Sequence, residues 1–126
     1  MPGKMKILII EDDHPSKKLQ TGLLEQAGYE IFAADTAEAG MVLAKEKLPD
    51  LITMDYQLPG MNGELALKIV RADERTKNIP IVFVTASVME EEKKRFASYH
   101  CKVITKPINT RTFVQEIEEI LNASKK

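Results

Sequence analysis

Five short apolar runs punctuate the chain: Lys6–Ile10 (KILII), Glu30–Ala34 (EIFAA), Leu51–Met54 (LITM), Ile81–Thr85 (IVFVT) and Cys101–Thr105 (CKVIT). Each has the length of a strand, and the mostly branched, apolar KILII, ending abruptly in Glu11, Asp12 and Asp13, reads as a buried strand opening into a polar loop. Between the runs, apolar residues recur in four sets: Leu19, Leu23, Leu24 and Ala27; Ala39, Val42, Leu43 and Ala44; Leu65, Leu67, Ile69 and Val70; and Phe113, Ile117, Ile120 and Leu121. Recurrence every three or four positions predicts one apolar face on each of four helices. The stretch 89–99 has the weakest pattern, with residues 90–95 all charged, and reads as a helix with most of its surface in water. Gly28, Pro49-Asp50 and Asn78-Ile79-Pro80 mark boundaries between elements. Asp35 followed by Glu38 predicts a capping box opening the second helix.

Strands alternating with helices predict a parallel sheet covered on both faces, because parallel neighbours need crossover connections. The expected α/β architecture is (βα)5, a single domain over residues 1–126 with a core from about 6 to 121 and no output domain. A chain of 126 residues can bury about two-thirds of its unfolded surface and folds without a metal or a disulfide. Its single cysteine, Cys101, excludes an intramolecular disulfide and a multi-cysteine zinc site. The net charge of −1 gives no overall electrostatic attraction to nucleic acid or an anionic membrane. No apolar run approaches the roughly 18 residues of a bilayer span, and MPGKMK lacks a signal-peptide core. The expectation is a soluble cytoplasmic protein that binds neither nucleic acid nor membrane directly.

Ligands of an open parallel sheet bind beyond the carboxyl ends of the strands. The first strand delivers Glu11, Asp12 and Asp13 to that edge, the third Asp55, the fourth Thr85 and the fifth Lys106. Glu11, Asp12 and Asp55 would converge beside one lysine and one hydroxyl, leaving a net negative cluster that a divalent cation would balance. Oxygen-only donors favour Mg2+, which retains waters and takes phosphate oxygens. Asp13 reads as solvated and auxiliary, His14 and His100 as surface residues, and Cys101 as a small core residue. Gly60, Asn62 and Gly63 read as a turn, and no glycine-rich nucleotide fingerprint is present.

Four segments in order, ILIIEDDHPSKKL, PDLITMDYQLPGMNG, PIVFVTA and ITKP, resemble the receiver domain of two-component response regulators, of the single-domain, chemotaxis-regulator-like kind. The resemblance implies a doubly wound, flavodoxin-like five-stranded sheet in the order 2-1-3-4-5. It implies that Asp55 accepts a phosphoryl group from a histidine kinase or phosphotransfer protein. Glu11, Asp12, Asp55 and the backbone carbonyl of Gln57 would hold Mg2+, Glu11 mainly through water. Thr85 would hydrogen-bond the phosphoryl group, Lys106 would pair with it, and the Lys106-Pro107 peptide would be cis. Such a domain catalyses only its own phosphorylation and dephosphorylation and is not otherwise an enzyme.

Where many receivers carry a Tyr or Phe three residues before the lysine, this chain has Val103, whose stiff, short side chain cannot swing inward. The Thr85 half of the usual switch is retained, and Gln57 with Ser87 would tune the lifetime of the phosphorylated form. Thr85 leads into the fourth helix and Lys106 ends the fifth strand, which places the output surface, for an unidentified downstream protein, on the fourth helix, fifth strand and fifth helix. The expected state is a monomer or a phosphorylation-promoted dimer. Two alternatives are a phosphorylation-independent interaction module, which loss of Asp55 or Lys106 would have signalled, and an aspartyl-phosphate phosphohydrolase. The latter needs a second Asp two residues after the nucleophile, where this chain has Gln57.

Overall fold

The computed structural model describes residues 4–58, 60–86 and 89–124. Its elements alternate: β1 (Lys6–Ile10), α1 (His14–Gln26), β2 (Glu30–Ala34), α2 (Ala37–Lys47), β3 (Leu51–Met54), α3 (Gly63–Ala72), β4 (Ile81–Thr85), α4 (Glu90–Ser98), β5 (Cys101–Thr105) and α5 (Phe113–Ser124). The five strands form one parallel sheet in the order β2-β1-β3-β4-β5. All five strand boundaries coincide with the apolar runs: the central β1, β3 and β4 are buried on both faces and read as nearly continuous apolar sequence, while the edge strands β2 and β5 are partly exposed and carry polar residues among the apolar ones.

Successive strand side chains point to opposite faces, and this divides the core in two. Leu8, Ile10, Ile52, Met54, Ile81 and Phe83 face α2, α3 and α4, where they meet Met41, Leu67, Val70 and Phe96. Ile7, Ile9, Leu51, Val82 and Val84 face α1 and α5, meeting Leu24, Phe113, Ile117 and Leu121. Among the described residues no helix is long and apolar enough to cross a membrane.

The helical faces differ from the predicted ones in a consistent way. In α2 the buried stripe is Ala37, Gly40, Met41 and Ala44, while Val42 is 55% exposed. In α3 it is Gly63, Ala66, Leu67 and Val70, with Leu65 49% exposed. Both helices lie so close to the sheet that small residues occupy the contact: a Cβ on Gly40 would sit 2.4 Å from Ile10 Cδ1. In α1, Leu19 is 41% exposed and the buried residue beside it is Gln20. Helix α4 is the solvated helix its charges predict, with Phe96 its buried residue.

The α2 cap also differs. Thr36, not Asp35, is the N-cap, its side chain accepting the Ala39 N–H at 3.1 Å. Asp35 is drawn away from the helix by Lys17 of α1, with which it forms an ion pair. Asp13 is exposed, as expected, and in addition serves as the N-cap of α1, accepting the Ser16 N–H at 3.0 Å.

Candidate functional site

Three ladder-type hydrogen bonds carry the sheet one residue beyond its strands and fix the positions of the chemistry. Glu11 N–H donates to Ala34 O at 3.0 Å, Asp55 N–H to Ile10 O at 3.0 Å and Lys106 N–H to Thr85 O at 2.8 Å. Glu11, Asp55 and Lys106 thus stand on the carboxyl edge of the sheet with their backbones held by the neighbouring strand. Backbone held in this way is far better defined than free loop.

At this edge the side chains meet. Lys106 Nζ lies 2.8 Å from Glu11 Oε1 and 3.0 Å from Asp55 Oδ2, bridging the two carboxylates. Asp55 is 12% exposed at its side chain, and its other oxygen, Oδ1, accepts the Gln57 N–H at 2.9 Å. Glu11 is 1% exposed. Its Oε1 also accepts from Ser16 Oγ at 3.1 Å and from Gln20 Nε2 at 3.4 Å, and its Oε2 accepts the Asp13 N–H at 3.2 Å. Burial pushes the Glu11 carboxyl above the usual glutamate range, only partly offset by the Lys106 hydrogen bond. Burial would pull Lys106 down, but hydrogen bonds from its ammonium to Glu11 and Asp55 hold it above the ordinary lysine value.

Asp12 is exposed, yet carboxylate oxygens of Glu11, Asp12 and Asp55 all lie within 4.8 Å of one another. Hard, anionic oxygen donors gathered so closely fit a hard divalent cation. Glu11 is buried and already accepts from four donors of the chain, Asp55 from two, and Asp12 is exposed, which makes Asp12 and Asp55 the more available donors and suits a water-mediated part for Glu11.

Of the remaining candidates, Thr85 ends β4 and is buried, opposite Thr105 of β5. Gln57 is exposed, Val103 is half-buried, pairs in register with Phe83 and packs on the aromatic side of the core. The Lys106-Pro107 peptide is cis. Ser87 lies outside the described residues. Two neighbours of the site were not anticipated. Gln20 runs from Glu11 to the sheet interior, where Thr53 Oγ1 donates to Gln20 Oε1 at 3.0 Å. Its signal was the stripe Ser16, Gln20, Leu24, whose spacing of four fits a buried helical face once polar members are admitted. Tyr56, directly after Asp55, donates its hydroxyl to Glu92 Oε2 of α4 at 2.7 Å.

The class of protein is thus an open, doubly wound parallel sheet whose carboxyl edge gathers carboxylates around a lysine, and comparison with known proteins narrows it. The sequence profile of the response regulator receiver domain matches residues 7–118. The chain is 35% identical over 116 residues to the polar-differentiation response regulator DivK of Brucella ovis, covering 91% of this chain and 94% of that protein. It is also similar to the solved receiver domain protein, described as CheY-like, of Methanospirillum hungatei JF-1: TM-score 0.89, 26% identity, 98% of each chain. A chemotaxis response regulator of Vibrio cholerae shares the fold, with TM-score 0.86 and 24% identity over 93% of this chain and 98% of that one. This chain belongs to the response regulator receiver domain family, a family of signalling domains.

Proposed function

We propose that the chain is a phosphorylation-dependent signalling receiver in which Asp55 accepts a phosphoryl group from the phosphohistidine of a kinase or phosphotransfer protein. The observation that carries this reading is the Lys106 ammonium poised 3.0 Å from Asp55 Oδ2 and 2.8 Å from Glu11 Oε1. A cation in that position aligns the carboxylate before reaction and is at hand for the charge that follows.

In the transfer, an Asp55 carboxylate oxygen bonds to phosphorus while the bond from phosphorus to the donor imidazole nitrogen breaks, and its electron pair leaves with that nitrogen. The carboxylate is converted to an acyl phosphate with roughly one more negative charge. Lys106 answers that charge, and the Thr85 hydroxyl at the neighbouring strand end serves as the short neutral donor. Glu11, Asp12, Asp55 and the Gln57 carbonyl would hold Mg2+, which when bound would neutralise phosphoryl oxygens. Gln57, exposed beside Asp55, and Ser87 are the proposed determinants of how readily water ends the phosphorylated state. An acid-base role like that of the phosphohydrolases is disfavoured, since an amide at position 57 exchanges no proton.

The output face is proposed to lie on α4, β5 and α5. Thr85 and Lys106 are joined by a backbone hydrogen bond of 2.8 Å, so a pull on either reaches β5 and the segment leading to α4.

The reading is tested by phosphoryl incorporation from a small acyl-phosphate donor with and without a chelator. Incorporation should fall to a small fraction when divalent cation is removed; undiminished incorporation would sink the metal assignment. In Mg2+ titrations, Asp12→Ala should weaken binding far more than Asp13→Ala, whose cost should instead be about 1 kcal/mol of stability through the lost α1 cap.

A further inference from the structure

We propose that Tyr56 is a positioning residue that couples the Asp55 loop directly to α4, a role that rests on the phosphoacceptor reading of Asp55. The side chain is held from three directions. Its ring packs edge-on against Phe83, with centroids 5.5 Å apart, and tilted against Phe96, at 5.3 Å. Phe83 and Phe96 are themselves 4.7 Å apart, closing an aromatic triad. Its hydroxyl donates to Glu92 Oε2 at 2.7 Å. Its backbone carbonyl accepts the Gly63 N–H at 2.8 Å. That approach is possible because residue 63 has no side chain: a Cβ there would lie 2.9 Å from Tyr56 Cα and 2.7 Å from Phe83 Cε1.

The far ends of these contacts are the anchors of α4. Phe96 is the buried residue of that helix. Glu92 also caps it, Oε1 accepting the Met89 N–H at 3.0 Å. One carboxylate therefore closes the first turn of α4 and binds Tyr56. Arg95 adds a fork to Glu64 of α3, at 2.9 and 3.2 Å, but this pair stands at the surface and contributes little.

The near end is the turn spanning Tyr56, closed by the Gln57 N–H on Asp55 Oδ1 at 2.9 Å. Phosphorylation moves the negative charge of the carboxylate out to the phosphoryl oxygens and leaves the bridging oxygen of an acyl phosphate and a weaker carbonyl acceptor in its place. The hold on Gln57 N–H then loosens, and the turn carrying Tyr56 changes its setting. Because Tyr56 grips both anchors of α4, that change reaches the helix without passing through β5. Val103 offers no aromatic ring for the β5 route, and it packs against the same cluster as Tyr56, Phe83 and Phe96. A change in α4 needs differential contacts in the two states, and Tyr56 supplies them.

Two arms test this with Tyr56→Phe, which keeps the ring, Glu92→Ala and the double variant. In the unphosphorylated protein, amide hydrogen exchange across residues 90–98 should accelerate about fivefold or more in each single variant, as expected for the loss of one charge-assisted hydrogen bond. The double variant should be no faster than the faster single, since both remove the same contact. In the second arm, Tyr56→Phe should take up the phosphoryl group as fully as the parent by intact mass, while phosphorylation-dependent amide shifts in residues 90–98 fall below half. Unchanged exchange in Tyr56→Phe, additive effects in the double variant, or a fully retained shift response would each overturn the coupling. Failure of the parent chain to take up phosphoryl would sink the phosphoacceptor reading alone, and the exchange arm would still decide whether Tyr56 holds α4.

Discussion

Lys106 between two carboxylates shows how strongly position governs a residue's chemistry. The same side chain on a helix surface would be solvated. Here, after β5, it neutralises the nearly inaccessible Glu11 and reaches Asp55. Cys101 illustrates the opposite effect. Burial at the start of β5 pushes its thiol up to about 12, from 9.0. The neutral thiol is therefore favoured by folding: its contribution to stability is fully present below pH 9.0 and is lost as pH rises toward 12. At pH 8.5 an aromatic disulfide reagent should react with the native protein orders of magnitude more slowly than with the urea-unfolded chain. Cys101→Ala should flatten the alkaline loss of stability in urea titrations. Equal rates in folded and unfolded protein would show that the thiol is not sequestered. Polar residues are where sequence reasoning stopped short. By type neither Gln20 nor Tyr56 declares a role, and only the packing of α1 and α4 against the sheet sets Gln20 on Glu11 and ties Tyr56, next to Asp55, to α4.

At the scale of elements, strands were legible and helical faces only partly so. Central parallel strands are apolar on both sides and need no phase to be read. A helix against such a sheet must be read in phase, and large apolar residues mislead when the closest contact is made by small ones. Val42 and Leu65 looked like core and lie half-exposed, while Gly40 and Gly63 touch the sheet. Two glycines make the point testable. Gly40→Ala would drive a Cβ to 2.4 Å from Ile10 Cδ1 and 2.7 Å from its Cγ1, so the fully buried Ile10 side chain must shift within the core, and the substitution should cost about 1–3 kcal/mol. Gly22→Ala, in α1 with nothing within 4 Å of the added carbon, should stabilise by up to about 1 kcal/mol through helix propensity. Equilibrium urea unfolding distinguishes the two; similar effects for both would mean that the close approach of α2 to β1 is wrong. The acidic edge, by contrast, could be read as a cluster, because in a doubly wound sheet the residue after each strand is carried to the same edge.

At the scale of the molecule, the near-zero net charge leaves the acidic cluster as a local feature, and the proposed signal is likewise local: a charge added at one edge of the sheet and felt in the helix with the least buried anchorage. Thr85→Ala should still accept the phosphoryl group, since Thr85 is not proposed as acceptor or metal ligand. It should weaken the phosphorylation-dependent amide shifts of residues 89–98, while Val103→Ala largely keeps them. The reverse ranking in NMR spectra would refute this account of the switch.

The proposed switch depends on the identity of the acceptor. Intact-protein mass, recorded after incubation with a small acyl-phosphate donor and Mg2+, should show a single phosphoryl group on the parent chain and none on Asp55→Asn, in which the nucleophilic carboxylate is replaced by an amide of the same shape. A phosphoryl gain persisting at full level in Asp55→Asn would contradict the proposed mechanism.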